Sequence, residues 1–224
     1  MAPPRQRWRL VVARSADTPR LAGRELSEAW ELAIEATGLP IHRPAGRPHG
    51  RVAFGASLPM GIAADRDLVD IFLAEPVPIW RLREALLDAL PDGWRLVEVF
   101  DVWVGAPALA GRVTGADYRV VLDVEVDPVV LDGAARELLA AATLPRVRAK
   151  GESTVPYDLR PLLADVAVVE PGPPVVVRVR GRIHPELGTG RPDEVVAALG
   201  DAMGRELEVR AIVRERLILA DEPG

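Results

Sequence analysis

The chain has 224 residues, a net charge of −5 and no cysteine. The missing cysteines exclude disulfides, thiolate catalysis and cysteine-held metal centres. With 49% hydrophobic and 27% charged residues the chain is globular, not disordered.

No uncharged apolar run reaches the roughly 18 residues of a membrane span. The start, MAPPRQRWRLVV, has arginines but no long apolar stretch behind them. Neither a membrane span nor a signal peptide is expected, and the cytoplasm is the expected location.

Charge is unevenly spread. Residues 1–51 carry nine arginines and five acids, a net of +4; the remainder carries nineteen basic and twenty-eight acidic residues, a net of −9. Distribution, more than the sum, decides what a surface attracts. Lys150 is the lone lysine, so every other basic side chain is an arginine with a planar fork suited to phosphate or carboxylate.

Apolar alternation predicts a first strand over Arg7–Ala13. Leu26, Ala29, Trp30, Ala33 and Ile34 share one face of a helix predicted from about Ala22 to Thr37, which Gly38 and Pro40 end. RVAFGAS and DLVDIFLA read as strands. A second helix follows over Ile79–Leu90, with Ile79, Leu82, Leu86 and Leu90 on one face. Pro91-Asp92-Gly93 is a turn, and Trp94–Trp103 is the next strand. This β-α-β-β-α-β order is the ferredoxin-like arrangement.

Gly105–Gly115, rich in Gly, Ala and Pro, reads as a linker, and the order then recurs. A strand, DYRVVLDVEV, leads to a helix that starts at Asp127-Pro128 and runs to about Ala142. The strands RVRAK and VVVRVRGRI, the helix Asp193–Met203 and the strand EVRAIVRERLIL complete it. Residues 151–170 read as an inserted hairpin and short helix. The expectation is an α+β fold of two tandem ferredoxin-like (βαββαβ) halves with antiparallel sheets, residues 1–106 and 107–224.

The second half carries an alternating basic strand. Val175, Val177, Val179 and Ile183 fall on one side; Arg178, Arg180, Arg182 and His184 fall on the other. Arg146, Arg148 and Lys150 alternate with Val147 and Ala149, and Arg210, Arg214 and Arg216 alternate in the last strand. Helices cover one face of such a sheet, so the other face would gather these cations, with Asp123 and Glu125 diluting them. An arginine stripe can follow a phosphate backbone. Open-sheet RNA binders add stacking aromatics, which this pattern lacks. A salt-bridged solvent face is the competing reading.

The first half carries a basic loop with His42, Arg43, Arg47, His49 and Arg51. Histidine among arginines could serve as general acid or base beside a phosphodiester, although the spacing fits no defined metal or nuclease motif. A solvated basic loop is the simpler reading. The turn Gly188–Asp193 enters a helix but matches no phosphate-loop or dinucleotide fingerprint. Trp8, Trp30, Trp94 and Trp103 read as packed, and Trp80 as the surface candidate.

Three stretches carry a family likeness. The first runs through Leu39-Pro40, the loop Gly46–Gly50, Val52-Ala53-Phe54 and Leu58-Pro59-Met60-Gly61. The second is Asp158-Leu159-Arg160-Pro161, after Lys150-Gly151. The third is Gly190-Arg191-Pro192 before the last helix. In these the chain resembles the radical SAM-linked family of uncharacterised bacterial proteins. It departs from the family loop in having Arg47 where an aromatic is usual and Gly50 where a second proline is usual. The resemblance implies a partner more than a reaction, because members are encoded beside radical SAM proteins, or fused to them, and often near RNA-processing or ribosomal genes.

The leading expectation is a non-catalytic accessory protein that binds RNA (tRNA or rRNA) or recognises substrate for a radical SAM protein, with no cofactor of its own. Its contact residues would be Arg43, Arg47, His49, Arg51, Arg146, Arg148, Lys150, Arg178, Arg180 and Arg182. One alternative is a scaffold that docks an acidic radical SAM partner. Another is a metal-independent ribonuclease using His42 or His49 with Arg47 and Arg51.

Overall fold

A computed structural model describes residues 2–18, 23–47, 49–59, 61–123, 126–150 and 153–220. Among the described residues the fold is mixed α+β, with five α-helices and mostly antiparallel pairing. One strand pair is parallel, where antiparallel sheets were expected. Alternation in sequence fixes which side chains face the core, not the direction of the neighbouring strand. The chain divides into two compact units, Met1–Val113 and Thr114–Gly224.

The first unit runs β1 (Gln6–Arg14), α1 (Arg24–Ala36), β2 (Val52–Phe54), β3 (Ala63–Leu73), α2 (Ile79–Leu86), β4 (Trp94–Val102) and α3 (Leu109–Arg112). Its strands lie in the order β2-β3-β1-β4, each pair antiparallel. Trp8, Leu10 and Val12 alternate along β1 and meet Trp30 and Ile34 of α1 and Leu82 and Leu86 of α2 in one core. Trp30 is the keystone, with Phe54 and Trp94 edge-on to it at 5.8 and 5.2 Å. Trp30→Ala would cost about 3–5 kcal/mol.

α2 stops at Leu86, short of the expected Leu90. The Ala89 amide bonds back three residues to Leu86, a tightened turn, and Pro91 follows. The expected linker holds α3, anchored by the buried Leu109. Trp103, expected to pack in a strand, stands exposed just past β4, and Trp80 is exposed as well.

The second unit runs β5 (Val113–Leu122), α4 (Pro128–Ala140), β6 (Pro145–Lys150), β7 (Ser153–Asp158), a 3-10 turn (Arg160–Leu162), β8 (Leu163–Glu170), β9 (Val176–His184), β10 (Gly188–Thr189), α5 (Pro192–Met203) and β11 (Val209–Leu219). β5 lies between β9 and β11, and the far edge of β9 pairs with β8 and β10. Asp127 caps α4 by accepting from the Val129 amide at 2.8 Å, with Pro128 at the first helical position. Tyr118, Val120, Val177 and Val179 are buried with Leu131, Leu138, Val195 and Leu199 of the helices.

β6 corrects the sequence reading. It was expected to bring Arg146, Arg148 and Lys150 onto the same face as the β9 arginines. Instead β6 and β7 pair only with each other, in a separate two-stranded ribbon.

Candidate nucleic-acid interface

The loop of the first unit turns inward. Glu35 of α1 accepts from His49 Nδ1 at 3.0 Å, from Arg43 Nε at 3.0 Å and from the Gly50 amide at 3.0 Å. Arg47 lies 3.9 Å from Glu31. The Glu35 carboxyl is lowered to about 2, chiefly by the His49 hydrogen bond; burial opposes this, and Arg43 and the Gly50 amide add to it. His42 Nε2 meets the Ala2 carbonyl at 3.1 Å. Arg51 rests 5.0 Å from the centre of the Phe72 ring. Glu35 is the organiser that sequence reasoning missed. Its place one residue from the end of α1, ahead of a basic loop, was the available signal.

Away from the core, the same sheet buries an ionic triad. Arg7 and Arg9 of β1 lie in register with Phe72 and Asp70 of β3. Asp70 is 0% exposed and accepts from Arg7 at 2.5 and 2.9 Å and from Arg9 at 2.8 and 3.1 Å. Arg7 gives two further N–H groups to the Ala106 and Pro107 carbonyls at 2.7 and 3.0 Å. Nothing in this triad is open to a ligand.

The second unit repeats the motif with charges exchanged. Here the carboxylate sits on the first strand: Asp117 of β5 lies in register with Arg180 of β9. Arg180 donates to it at 2.6 and 3.1 Å, and Arg216 of β11 donates at 2.9 Å. Burial works to raise the Asp117 carboxyl, but hydrogen bonds from Arg180 and Arg216 outweigh it and hold the group below the ordinary range. Asp117 is buried, yet the side chains of Arg180 and Arg216 are 29% and 45% exposed.

The face extends outward from this triad. Arg178 donates to Asp165 at 3.1 Å, and Arg119 to Glu215 at 3.2 Å. Arg182 donates to two carbonyls, Pro161 at 3.1 Å and Leu163 at 2.9 Å. Among the described residues, four arginines (119, 178, 180 and 216) therefore share three carboxylates (Asp117, Asp165 and Glu215), and Arg182 adds a fifth guanidinium bonded to carbonyls alone. Arg178 and Arg216 each use one nitrogen in these bonds and are nearly half exposed. Arg214, expected on this face, is completely buried.

Arg146 and Arg148 lie on the β6–β7 ribbon. Arg146 pairs with Asp201, and Arg148 covers the Tyr157 ring at 5.1 Å. The side chain of Lys150, and Glu125, lie outside the described residues. Among the described residues, no group of three or more His, Asp or Glu side chains could hold a metal ion. Among them, too, no helix is long and apolar enough to cross a membrane.

The stretches that carry the family likeness are architectural. Asp158 accepts from the Leu144 and Arg160 amides at 2.7 and 2.9 Å, and Leu159 is buried. Arg160 ties the Leu139 and Leu163 carbonyls at 2.7 and 2.9 Å. A Cβ on Gly190 would meet the Leu162 carbonyl oxygen at 2.2 Å, so the turn before Pro192 needs glycine. The Pro59 carbonyl accepts from Arg14 at 2.9 Å.

Residues 7–210 match a family described as uncharacterized protein conserved in bacteria (DUF2344), and the chain belongs to it. No curated protein matches. Among solved structures, a Cbf5-Nop10-Gar1 complex contains a chain 14% identical, with a TM-score of 0.47, covering 93% of this chain and 49% of that one. The carbohydrate oxidase from Microdochium nivale with a substrate analogue is 11% identical, with a TM-score of 0.22, covering 91% and 43%. The chain thus spans about half the length of these solved chains or less. Both likenesses fall below the level of a shared fold.

Proposed function

We propose that this chain is a non-catalytic RNA-binding accessory protein that works beside a radical SAM enzyme in the cytoplasm. The observation that carries the reading is the solvent-facing sheet of the second unit, where four arginines share three carboxylates and Arg182 adds a fifth cation bonded only to carbonyls. Such a face attracts polyanions, and the unused N–H groups of Arg178 and Arg216 are free to grip phosphate oxygens. The ion pairs hold the forks in place and lower the ordering cost of binding.

We read both units as ferredoxin-like halves, the second carrying the β6–β7 ribbon as an insertion. The orders β2-β3-β1-β4 and β8-β9-β5-β11 support this. The radical SAM partner rests on the likeness of the three stretches above.

The loop of the first unit supports binding less than the sheet does, and a ribonuclease least, because His49, Arg43 and Arg47 are engaged with α1. Filter binding of tRNA and rRNA fragments across salt tests the RNA reading. Affinity that falls steeply with salt, and is reduced by Arg178→Glu with Arg182→Glu, is expected; salt-insensitive binding or unaltered variants would sink it. Co-purification with a radical SAM protein under reducing, anaerobic conditions tests the partner.

A further inference from the structure

The β6–β7 ribbon sets Arg146 opposite Tyr157, with Arg148 two residues on and therefore on the same face, about 7 Å along the strand. Arg148 lies against the Tyr157 ring on one side. It also lies beside Gly188, the first residue of β10. A Cβ there would meet Arg148 Nη1 at 2.6 Å. The absent side chain makes room for the guanidinium, and the φ of +100° at Gly188 also suits glycine.

Acceptors are scarce here. Among the described residues Arg148 has the Tyr157 ring and neither a carboxylate nor a carbonyl partner. Arg146 gives one N–H to Asp201, while its Nε is buried without an acceptor among the described residues. Arg191 adds a third guanidinium and is bonded to Asp193. Burial pushes the Tyr157 hydroxyl up to about 12, Glu194 adding to this while Arg148, Arg146 and Arg191 oppose it, so the hydroxyl remains a donor near neutrality. Charged donors withdrawn from water without acceptors are costly and call for a partner.

We infer that the ribbon face over Tyr157 binds a phosphate monoester, with the Arg148 fork on two of its oxygens and Arg146 and the Tyr157 hydroxyl beside it. A monoester suits the site because its terminal oxygens serve several donors at once and its charge approaches −2. The Glu194 charge acts on the same hydroxyl and weakens anion binding there, an effect the guanidiniums of Arg146, Arg148 and Arg191 must outweigh. This site lies on a different ribbon from the sheet face and stands without it. The phosphate could come from a free nucleotide or from an RNA end.

Titration calorimetry of the full chain distinguishes these cases, using inorganic phosphate, adenosine 5′-monophosphate, and one oligoribonucleotide with and without a 5′-phosphate. Wild type is expected to bind phosphate. Arg148→Met, which keeps the apolar stem, should weaken it roughly tenfold or more. Arg148→Lys should fall between the two, and Arg136→Met, an exposed charge loss on α4, should change nothing. Preference for the 5′-phosphorylated strand assigns an RNA end; equal strands with monophosphate binding assign a free nucleotide. Either supports the site. No binding of phosphate by wild type, or equal binding by a folded Arg148→Met chain, overturns it.

Discussion

Each unit places one carboxylate between two arginines on the sheet face away from its core, and the two triads are built to opposite ends. Asp70 with Arg7 and Arg9 is sealed, and its arginines are tied up by the carboxylate and the Ala106 and Pro107 carbonyls. Asp117 with Arg180 and Arg216 shields its carboxylate but leaves the arginines in contact with water. The same three groups therefore serve as an internal tie in one unit and as the centre of a cationic surface in the other. Exposure of the guanidinium, not the presence of arginine, marks the face that can bind.

The sharpest way to separate the triads is to remove each acid. Asp70→Asn leaves Arg7 and Arg9 buried with their charge unanswered, and should cost about 3–5 kcal/mol in urea unfolding, without a gain in RNA affinity. Asp117→Asn should cost less, about 1–2 kcal/mol, because Arg180 and Arg216 can turn to water. It should tighten RNA binding, since two arginines lose their internal competitor. Equal losses for the two variants would show that the triads do not differ in kind.

The smallest effect belongs to the loop pinned on α1. Glu35 is held at about 2 against an ordinary 4.5, so its contribution to stability is complete above about pH 4.5 and is lost as pH falls toward 2. Glu35→Gln should remove that limb from an acid-unfolding curve while leaving RNA binding near its wild-type value. A loop that bound RNA through Arg43 and Arg47 would instead respond to this change.

Much of this was legible in the chain. Period-two alternation through Val176–His184 fixed the core and cationic sides of β9, and the stripe of Trp30 and Ile34 fixed the inner face of α1. The pairing of charges was not legible. Asp117 and Arg180 are 63 residues apart, and Asp70 lies 61 residues from Arg9, so each meeting depends on register across strands. The partner of RVRAK was missed for a related reason, and the hairpin expected at 151–170 begins earlier, at Pro145. RVRAK alternates like a sheet strand, but a short run does not say which neighbour it will choose, and here it takes the adjacent β7. Glu35 was one acid among many until the loop folded back on it.

The most direct test of the cationic face is the slope of log affinity against log salt for single-stranded RNA. Wild type should show a clear negative slope, and Arg178→Glu with Arg182→Glu should flatten it by about 0.7 for each phosphate no longer neutralised. The same pair of charge reversals should cost only about 1–2 kcal/mol in urea unfolding, for the lost Asp165 pair and the two carbonyl bonds of Arg182, and leave the chain folded. A slope identical in wild type and variant would contradict a phosphate-binding role for this sheet.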